Sequence, residues 1–422
     1  MVRLCSRHHE TTTEWVLINR FGQPDRVVSG MRPTGRLHLG HYHGVLKNWL
    51  KLQYEYECFF FVADWHALTT HYEDDLSIIG ENTWEMVVDW LAAGVDPGRA
   101  TLFIQSRIPE HAELHLLLSM ITPLGWLERV PSFKDQQEKL KERDLATHGF
   151  LGYPVLQSAD ILIYKATQVP VGDDQVPHIE LTREIARRFN FLFGRDLGYV
   201  DKAEEAIKKL GKKGARFYRE MRSSYLEQGN QESLEKARAL LDKNQNIAIV
   251  EKERLYGYLE GGGRIILEEP EAILTHASKF PGLDGEKMSK SYNNIIALRD
   301  DPVRVEQGLR VMPTDPARKR RHDPGDPNKC PVWSLHQVYS PEETKRWVEE
   351  GCRTAAIGCL DCKQPLIDAI LAEQKTMQER AAPYVDDLTL VRNIIADGCE
   401  RAREIAEESL EEVRRCMGLE YY

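Results

Sequence analysis

Apolar positions along the chain follow two periods. CFFFVADWHA (58–67) is an unbroken apolar run closed by an aspartate, the pattern of a strand buried on both faces. RVVSG (26–30) and TLFIQS (101–106) are shorter runs of the same kind. Around them the spacing turns helical: VLKNWLKLQ (45–53), ENTWEMVVDWLAAG (81–94) with its glycine stop, PEHAELHLLLSM (109–120) with proline in its first turn, and DQVPHIELTREIARRF (174–189). YPVLQSADILIYKA (153–166) mixes helical spacing with a strand-like end. This alternation from 26 to about 195 predicts an α/β, Rossmann-like fold: a mostly parallel sheet with helices on both faces, and ligands at the carboxyl ends of its strands.

The pattern breaks elsewhere. Residues 1–25 read as a polar N-terminal extension. Residues 200–263 are charged and mostly helical and end in GGGR, which marks an insertion within a first domain of 26–299. Its stretch 201–222 carries eight Lys/Arg against four Asp/Glu. That is either a solvated helical excursion or a surface for RNA or a partner subunit. LDGEKMSKSYNN (283–294) is a loop. From 300 to 422 the spacing is helical with short breaks, so a second, mainly helical domain is expected there.

The bulk numbers narrow the class. A length of 422 residues allows two or three domains. With 42% hydrophobic and 29% charged residues the composition is that of an ordinary soluble protein. No apolar run approaches the roughly 18 residues of a membrane helix, and MVRLCSRHHETTTEW has no signal-peptide core. A cytoplasmic enzyme without membrane contact is expected. The net charge of -10 argues only weakly against nucleic acid, because local basic patches carry such contacts.

Two loops carry chemistry. RPTGRLHLGHYHG places Gly30, Gly35, Gly40 and Gly44 around His38 and His41. The glycines let a ligand approach the backbone. Histidines three apart share one face of a helix opening near 38, where free N–H groups favour anions. An imidazole there can stabilise charge building on a phosphate. Metal ligation by His38, His41 and His43, or ordinary packing, are the other readings. The loop is neither a Walker A loop nor a dinucleotide fingerprint. GEKMSKS (285–291) brings Lys287 and Lys290, flexible point charges suited to gripping a triphosphate from the opposite side. Alone, the two lysines would read as solvated surface.

PTGRLHLGH resembles the HIGH signature of class I aminoacyl-tRNA synthetases, and KMSKS is their second signature. FVADWHALTTHY, GVDPGRATLFIQSRIPEHAEL, GYPVLQSADILIYKATQVPVGDDQVPHIELTREIARRFN and GLDGEKMSKSYNN resemble the bacterial tryptophanyl enzymes over about 26–195 and 270–422. Tyrosyl enzymes are the nearest alternative; a freestanding nucleotidylyltransferase and a non-enzymatic RNA-binding paralogue are more distant ones. The resemblance implies a tryptophan–tRNA ligase with a helical anticodon-binding C-terminal domain, ATP with Mg2+, tRNA(Trp) and L-tryptophan as substrates, and a homodimer. It implies that His38, His41, Lys287 and Lys290 act on the phosphates. Gly30, Gly40, Gln105, Asp174 and Met288 would serve ATP. Asp160 would accept the indole N–H, Tyr153 and Gln175 would address the α-amino group, and Val169, Val171, Gln157 and Val28 would wall the ring.

Cys330, Cys352, Cys359 and Cys362 form C-x21-C-x6-C-x2-C. Eight cysteines are too few for a disulfide scaffold, and this spacing suits a four-thiolate site for which zinc is the generic occupant. Buried unligated thiols are the bland alternative. By resemblance, some tryptophanyl synthetases hold a [4Fe-4S] cluster on nearly this spacing, which makes the cluster the expectation and Zn2+ the alternative. Arg318, Lys319, Arg320 and Arg321 form a basic patch just upstream, either solvated or touching an RNA backbone. Trp333 reads as a core residue, with base stacking as the other role.

Overall fold

The computed structural model describes residues 4–9, 12–17, 24–72, 77–130, 147–244, 246–275 and 280–421. Within the expected extension, Leu4–His9 (β1) pairs antiparallel with Thr12–Leu17 (β2). The five strands of the main sheet are Arg26–Met31 (β3), Glu57–Val62 (β4), Ala100–Ile104 (β5), Gln168–Val171 (β6) and Glu271–Leu274 (β7). They are parallel and lie in the order β5-β4-β3-β6-β7. The two runs read as strands after β3 are buried as expected and lie together on one side of it: β4 and β5 carry Phe59, Phe60, Phe61 and Phe103 in the core. Trp49, on the helix after the glycine-rich loop, stacks on Phe60 at 4.0 Å.

The chain runs outward from β3 through β4 to β5, then returns to the other side of β3 as β6 and β7. A reversal of this kind opens a crevice at the strands' carboxyl ends. The opening is visible in the register. β3 pairs with β4 along its length, from Arg26↔Glu57 to Met31↔Val62, but meets β6 only at Val27↔Gln168. β6 and β7 carry no long apolar run, and β6 contains Pro170, so alternation did not mark them. Pro170 lies past the single β3 pairing, where the strands have already parted.

The segment that looked half strand is a helix, His148–Leu162, with Pro154 inside it. The insertion is four helices, Tyr199–Lys209, Gly211–Gln228, Gln231–Lys243 and Ile249–Leu259, around a core of their own that includes Ile207, Tyr218, Leu241 and Leu255. Its root is tight: a Cβ on Gly257 would lie 1.5 Å from the Gly263 carbonyl oxygen. Arg264 bridges Glu253 and Glu412, both at 2.6 Å, which ties the insertion to the last helix.

Beyond 300 all the long elements are helices, but they do not stand apart. One apolar core runs from β3 to the last helix. The helix Leu388–Met417 crosses β5 so closely that a Cβ on Gly398 would sit 1.9 Å from the Leu102 carbonyl oxygen. No described helix is long and apolar enough to cross a membrane.

Candidate functional site

β3 ends in Ser29–Gly30–Met31 and delivers the glycine-rich loop to the crevice. A Cβ on Gly30 would lie 2.5 Å from the Phe61 ring, so only glycine lets the backbone floor the crevice here. His38 caps a single helical turn, Leu39–His41, which passes through a π segment, Tyr42–Leu46, into Lys47–Leu52. His38 and His41 therefore do share a face, with ring centroids 3.8 Å apart. The His38 backbone N–H donates to His41 Nδ1 at 3.3 Å, while His38 Nδ1 is buried without a partner. Gly40 is required beside them: a Cβ there would meet the His38 ring at 3.0 Å. Burial, then Lys290, lowers His38 to about 4. Burial, then His38 and Lys290, holds His41 well below its ordinary value. Both imidazoles are neutral near pH 7 and can donate an N–H without carrying a charge.

The third histidine faces away. His43 Nε2 lies 2.8 Å from Tyr339 Oη and 3.3 Å from Glu373, and its ring stacks on Phe280. A metal site of His38, His41 and His43 is thereby excluded on geometry.

The lysine loop closes over the glycine-rich one. Lys290 Nζ donates to the Gly35 carbonyl at 2.6 Å. Leu39 N–H donates to Ile296 O and Leu298 N–H to Leu37 O, so the chain just after the lysine loop is stitched to the glycine-rich loop along the backbone. Asp89 adds a side-chain tie, accepting from Arg299 at 2.6 Å and from the Leu37 N–H at 3.2 Å. Burial lowers the Lys290 ammonium to about 8, with Asp89 opposing and Arg32 adding to the shift. Lys287 is exposed and Met288 is buried beneath the loop.

A cavity of about 350 Å³ opens between β3 and β6. Val28, Gly30, Val169 and Val171 line its strand side, Tyr153, Gln157 and Asp160 its helix side, and Gln175 and His41 also reach it. Asp174 and Gly40 lie outside that lining, Asp174 being exposed beside Gly172. Gln105 is fully buried behind the wall.

Asp160 differs from the open acceptor expected of it. Gln105 Nε2 donates to both carboxylate oxygens at 2.9 Å. His66 Nε2 lies 2.7 Å from Oδ2 and His111 Nδ1 lies 2.6 Å from Oδ1, and His111 Nε2 in turn meets Tyr164 Oη at 2.7 Å. Burial alone would push this carboxyl up, but the bonds from His111 and His66 and their charges outweigh it and hold it at about 2. A carboxylate offers about four lone-pair sites, and these contacts use them. An incoming N–H must share or displace the forked Gln105 bond. Gln157 and Tyr153 are likewise held from behind: His178 Nδ1 lies 2.8 Å from Gln157 Oε1 and His178 Nε2 lies 3.1 Å from Tyr153 Oη. His66, His111 and His178 were not singled out in the sequence. Isolated histidines inside apolar helices carry no local mark of their partners, which lie 94, 49 and 21 positions away.

The family model for class I tRNA synthetases of the W and Y type matches residues 21–204 and 241–373, well over half of the chain. The tryptophan--tRNA ligase of Ralstonia nicotianae is 66% identical over 398 residues, covering 94% of this chain and 99% of that protein. That of Thermotoga maritima is 45% identical, with 93% and 99% covered. The chain belongs to the tryptophanyl-tRNA synthetases of class I. The Campylobacter jejuni tryptophanyl-tRNA synthetase solved with ADP and tryptophan superposes with a TM-score of 0.67 at 26% identity, covering 93% of this chain and 99% of that one. The unmatched residues 205–240 in the family model fall on the inserted helices, so the synthetase carries them beyond the family's common frame.

In this synthetase the four spaced cysteines converge at helix ends. Cys330 caps Pro331–Tyr339, Cys352 lies in the last turn of Glu342–Arg353, and Cys359 and Cys362 open Cys359–Asp386. All four are free thiols. Burial, then Cys330, Cys352 and Cys359, pushes Cys362 up to about 12, so the thiols lie within electrostatic reach of one another. A Cβ on Gly325 would meet Cys352 Sγ at 2.7 Å, and His336 Nε2 lies 3.4 Å from Cys362 Sγ. Among the described residues, however, no three His, Cys, Asp or Glu side chains are set for a single metal ion.

The basic patch is smaller than its sequence. Arg318 turns inward: its Nη1 lies 3.9 Å from Cys352 Sγ, and Nη2 donates to the carbonyls of Ile357 and Arg321. Lys319, Arg320 and Arg321 remain exposed, Arg321 near Asp361 at 3.7 Å. Trp333 is half-buried beside His336.

Proposed function

We propose that the cavity between β3 and β6 holds tryptophan and that the clasped loops above it hold the ATP phosphates. As a tryptophan–tRNA ligase the chain joins tryptophan to ATP, giving tryptophanyl-AMP and diphosphate, and then transfers the acyl group to the 3′ end of tRNA(Trp). The observation that carries the assignment of parts is a single cavity walled by Asp160, Gln157, Tyr153 and Gln175 that His41 also reaches. The indole ring lies against Val28, Val169 and Val171, with its N–H on Asp160. Gln105, His66 and His111 fix that carboxylate. A side chain with no N–H gains nothing at this carboxylate, whose acceptor sites are already filled, so the contact favours a ligand that brings its own donor. Tyr153 and Gln175 take the α-amino group.

No protein nucleophile is needed. A tryptophan carboxylate oxygen attacks the α-phosphorus, the bond to the bridging oxygen breaks, and diphosphate leaves with the electron pair. His38 and His41 donate N–H groups to the charge that builds there, and Lys290, with Lys287, grips the triphosphate, which enters as its Mg2+ complex. Gly30 and Gly40 keep backbone and imidazoles close to the nucleotide, Asp174 addresses the ribose, and Met288 supports the closed loop. Tryptophan-dependent exchange of diphosphate into ATP tests this. His41→Ala and Lys290→Ala should each lower exchange by about 100-fold or more while tryptophan affinity is kept. Two variants at wild-type rate would remove the loops from the mechanism.

We assign a [4Fe-4S] cluster to Cys330, Cys352, Cys359 and Cys362. Four free thiols at helix ends, within electrostatic reach of one another, suit soft iron ligands. The cluster would pin the helix ends of a domain, 300–422, that reads the anticodon, with Lys319, Arg320 and Arg321 meeting RNA phosphates. Iron and sulfide content of anaerobically purified protein checks it; zinc without iron sinks it. The family's dimeric habit extends to this chain, to be read as the mass in solution.

A further inference from the structure

Arg32 is the first residue after β3, on the wall of the cavity, and opens the glycine-rich loop. Its backbone carbonyl accepts from the Thr34 N–H, which holds the turn that aims the side chain. Among the described residues no carboxylate pairs with its guanidinium, and Tyr153 is the charged or polar group that bears on it. Lys290, the neighbouring cation, feels Arg32 in turn. Arg32 shares the cavity wall with Tyr153 and lies within electrostatic reach of Lys290. The cavity holds carboxylate, amide, phenol and imidazole groups besides it. Lys290 is not part of this lining; it donates to the Gly35 carbonyl on the phosphate side.

We infer that Arg32 is a catalytic residue that takes the α-carboxylate of tryptophan and steers it onto the α-phosphorus. The inference rests on the placement of tryptophan in this cavity. The reaction must bring two anions together: a carboxylate oxygen forms a bond to phosphorus while the bond to the leaving diphosphate breaks, and no proton moves. A planar fork of N–H donors can hold one carboxylate oxygen and a non-bridging phosphate oxygen together, offsetting their repulsion. A neutral amide could hold the carboxylate but would not offset the charge. Among the described residues no carboxylate pairs with this guanidinium on the cavity wall, so its donors are open to an incoming anion.

Tryptamine is tryptophan without the carboxylate, and it separates this role from every other contact. Dissociation constants for tryptophan and tryptamine should be measured by calorimetry on the full-length wild type, Arg32→Gln, Arg32→Lys and Asp160→Asn, with exchange kinetics alongside. In Arg32→Gln, tryptophan should weaken by about 10-fold or more and tryptamine by less than about threefold, with exchange kcat down by about 100-fold or more. Arg32→Lys should keep much of the preference for tryptophan yet lose kcat, because a point charge cannot bridge two oxygens. Retained tryptamine binding shows that the cavity is intact. An unchanged tryptophan-to-tryptamine ratio in Arg32→Gln overturns the inference, as does a rise confined to the KM for ATP, which would make Arg32 a phosphate ligand. Asp160→Asn tests the cavity separately. If it weakens neither ligand, tryptophan does not sit here. If it weakens both while Arg32→Gln weakens neither, only the role of Arg32 is lost.

Discussion

Lys290 should make the capture of ATP fail in mild alkali. Its ammonium lies under the glycine-rich loop, bound to the Gly35 carbonyl at 2.6 Å, and burial brings its pKa down from the usual lysine range to about 8. The shift is downward, so the charged form is present below about pH 8 and is lost as the pH rises through it. With a pKa near 8, about nine-tenths of the enzyme carries the charge at pH 7 and about one-tenth at pH 9. If only the charged form captures the triphosphate, kcat/KM for ATP falls by about 10-fold over those two units, since this parameter reports groups of the enzyme before ATP binds. The assay is diphosphate exchange at saturating tryptophan and limiting ATP, from about pH 6.5 to 9.5. ATP and the tryptophan amino group also titrate, so the control is Lys290→Arg. Arginine stays charged throughout, so its absolute rate drops but its alkaline limb should flatten, leaving only the titrations it shares with wild type. A wild-type profile level to pH 9.5, or the same decline in Lys290→Arg, would refute the account.

Gly40→Ala places a methyl against the His38 ring at 3.0 Å; exchange kcat should fall by about 10-fold or more with the tryptophan dissociation constant unchanged, and an unchanged kcat would mean that His38 moves aside freely. His111→Gln removes a bond to a buried carboxylate, worth about 1.5–3 kcal/mol, and should raise the tryptophan dissociation constant about 10- to 100-fold while the KM for ATP holds. In wild type, tryptophan affinity should not titrate through Asp160 between pH 5 and 8, because its carboxyl at about 2 is ionised throughout that window; a break near pH 5 that disappears in Asp160→Asn would contradict the network. Gly398→Val drives a side chain into the Leu102 carbonyl and should lower unfolding stability by about 3 kcal/mol, read as a shifted urea midpoint.

The legible parts of this protein were those with a local pattern. β4 announced itself as a run of phenylalanines, and the two loops announced themselves by glycines, histidines and lysines at short spacing. The switch point was not legible, because β6 is four residues with a proline and β7 is half-exposed. Their strand character comes from pairing with each other and with β3 rather than from apolar patterning. The support behind the tryptophan cavity was equally hidden. Asp160 was named from its motif, but Gln105, His66 and His111 reach it from three other elements. Arg318 shows the opposite failure: within a run of four cations it looked like its neighbours, yet the fold turns it toward Cys352 and a carbonyl. Sequence proximity groups charges that tertiary structure separates.

The boundary at residue 300 separates two compositions but not two mechanical units. Gly285, in the turn leading to the lysine loop, has φ +88, and a Cβ there would touch Pro331 at 3.0 Å, the residue after Cys330. The helix that Cys330 caps ends nine residues later at Tyr339, whose hydroxyl lies 2.8 Å from His43 and donates to Glu373 at 2.7 Å. His43 is two residues past His41, and its ring stacks on Phe280, whose carbonyl accepts from the Met288 N–H. One short helix therefore touches the lysine loop at its cysteine end and the histidine loop at its tyrosine end. Lys363, one residue after Cys362, caps the helix Pro302–Val311 by donating to the Arg310 and Met312 carbonyls. These contacts are short, buried and directional, so a shift of the cysteine-bearing helices by even an ångström has to be accommodated at one signature loop or the other. The third histidine of the signature, which neither faces phosphate nor binds metal, has its physical reason here: it anchors the phosphate-facing pair to the C-terminal helices.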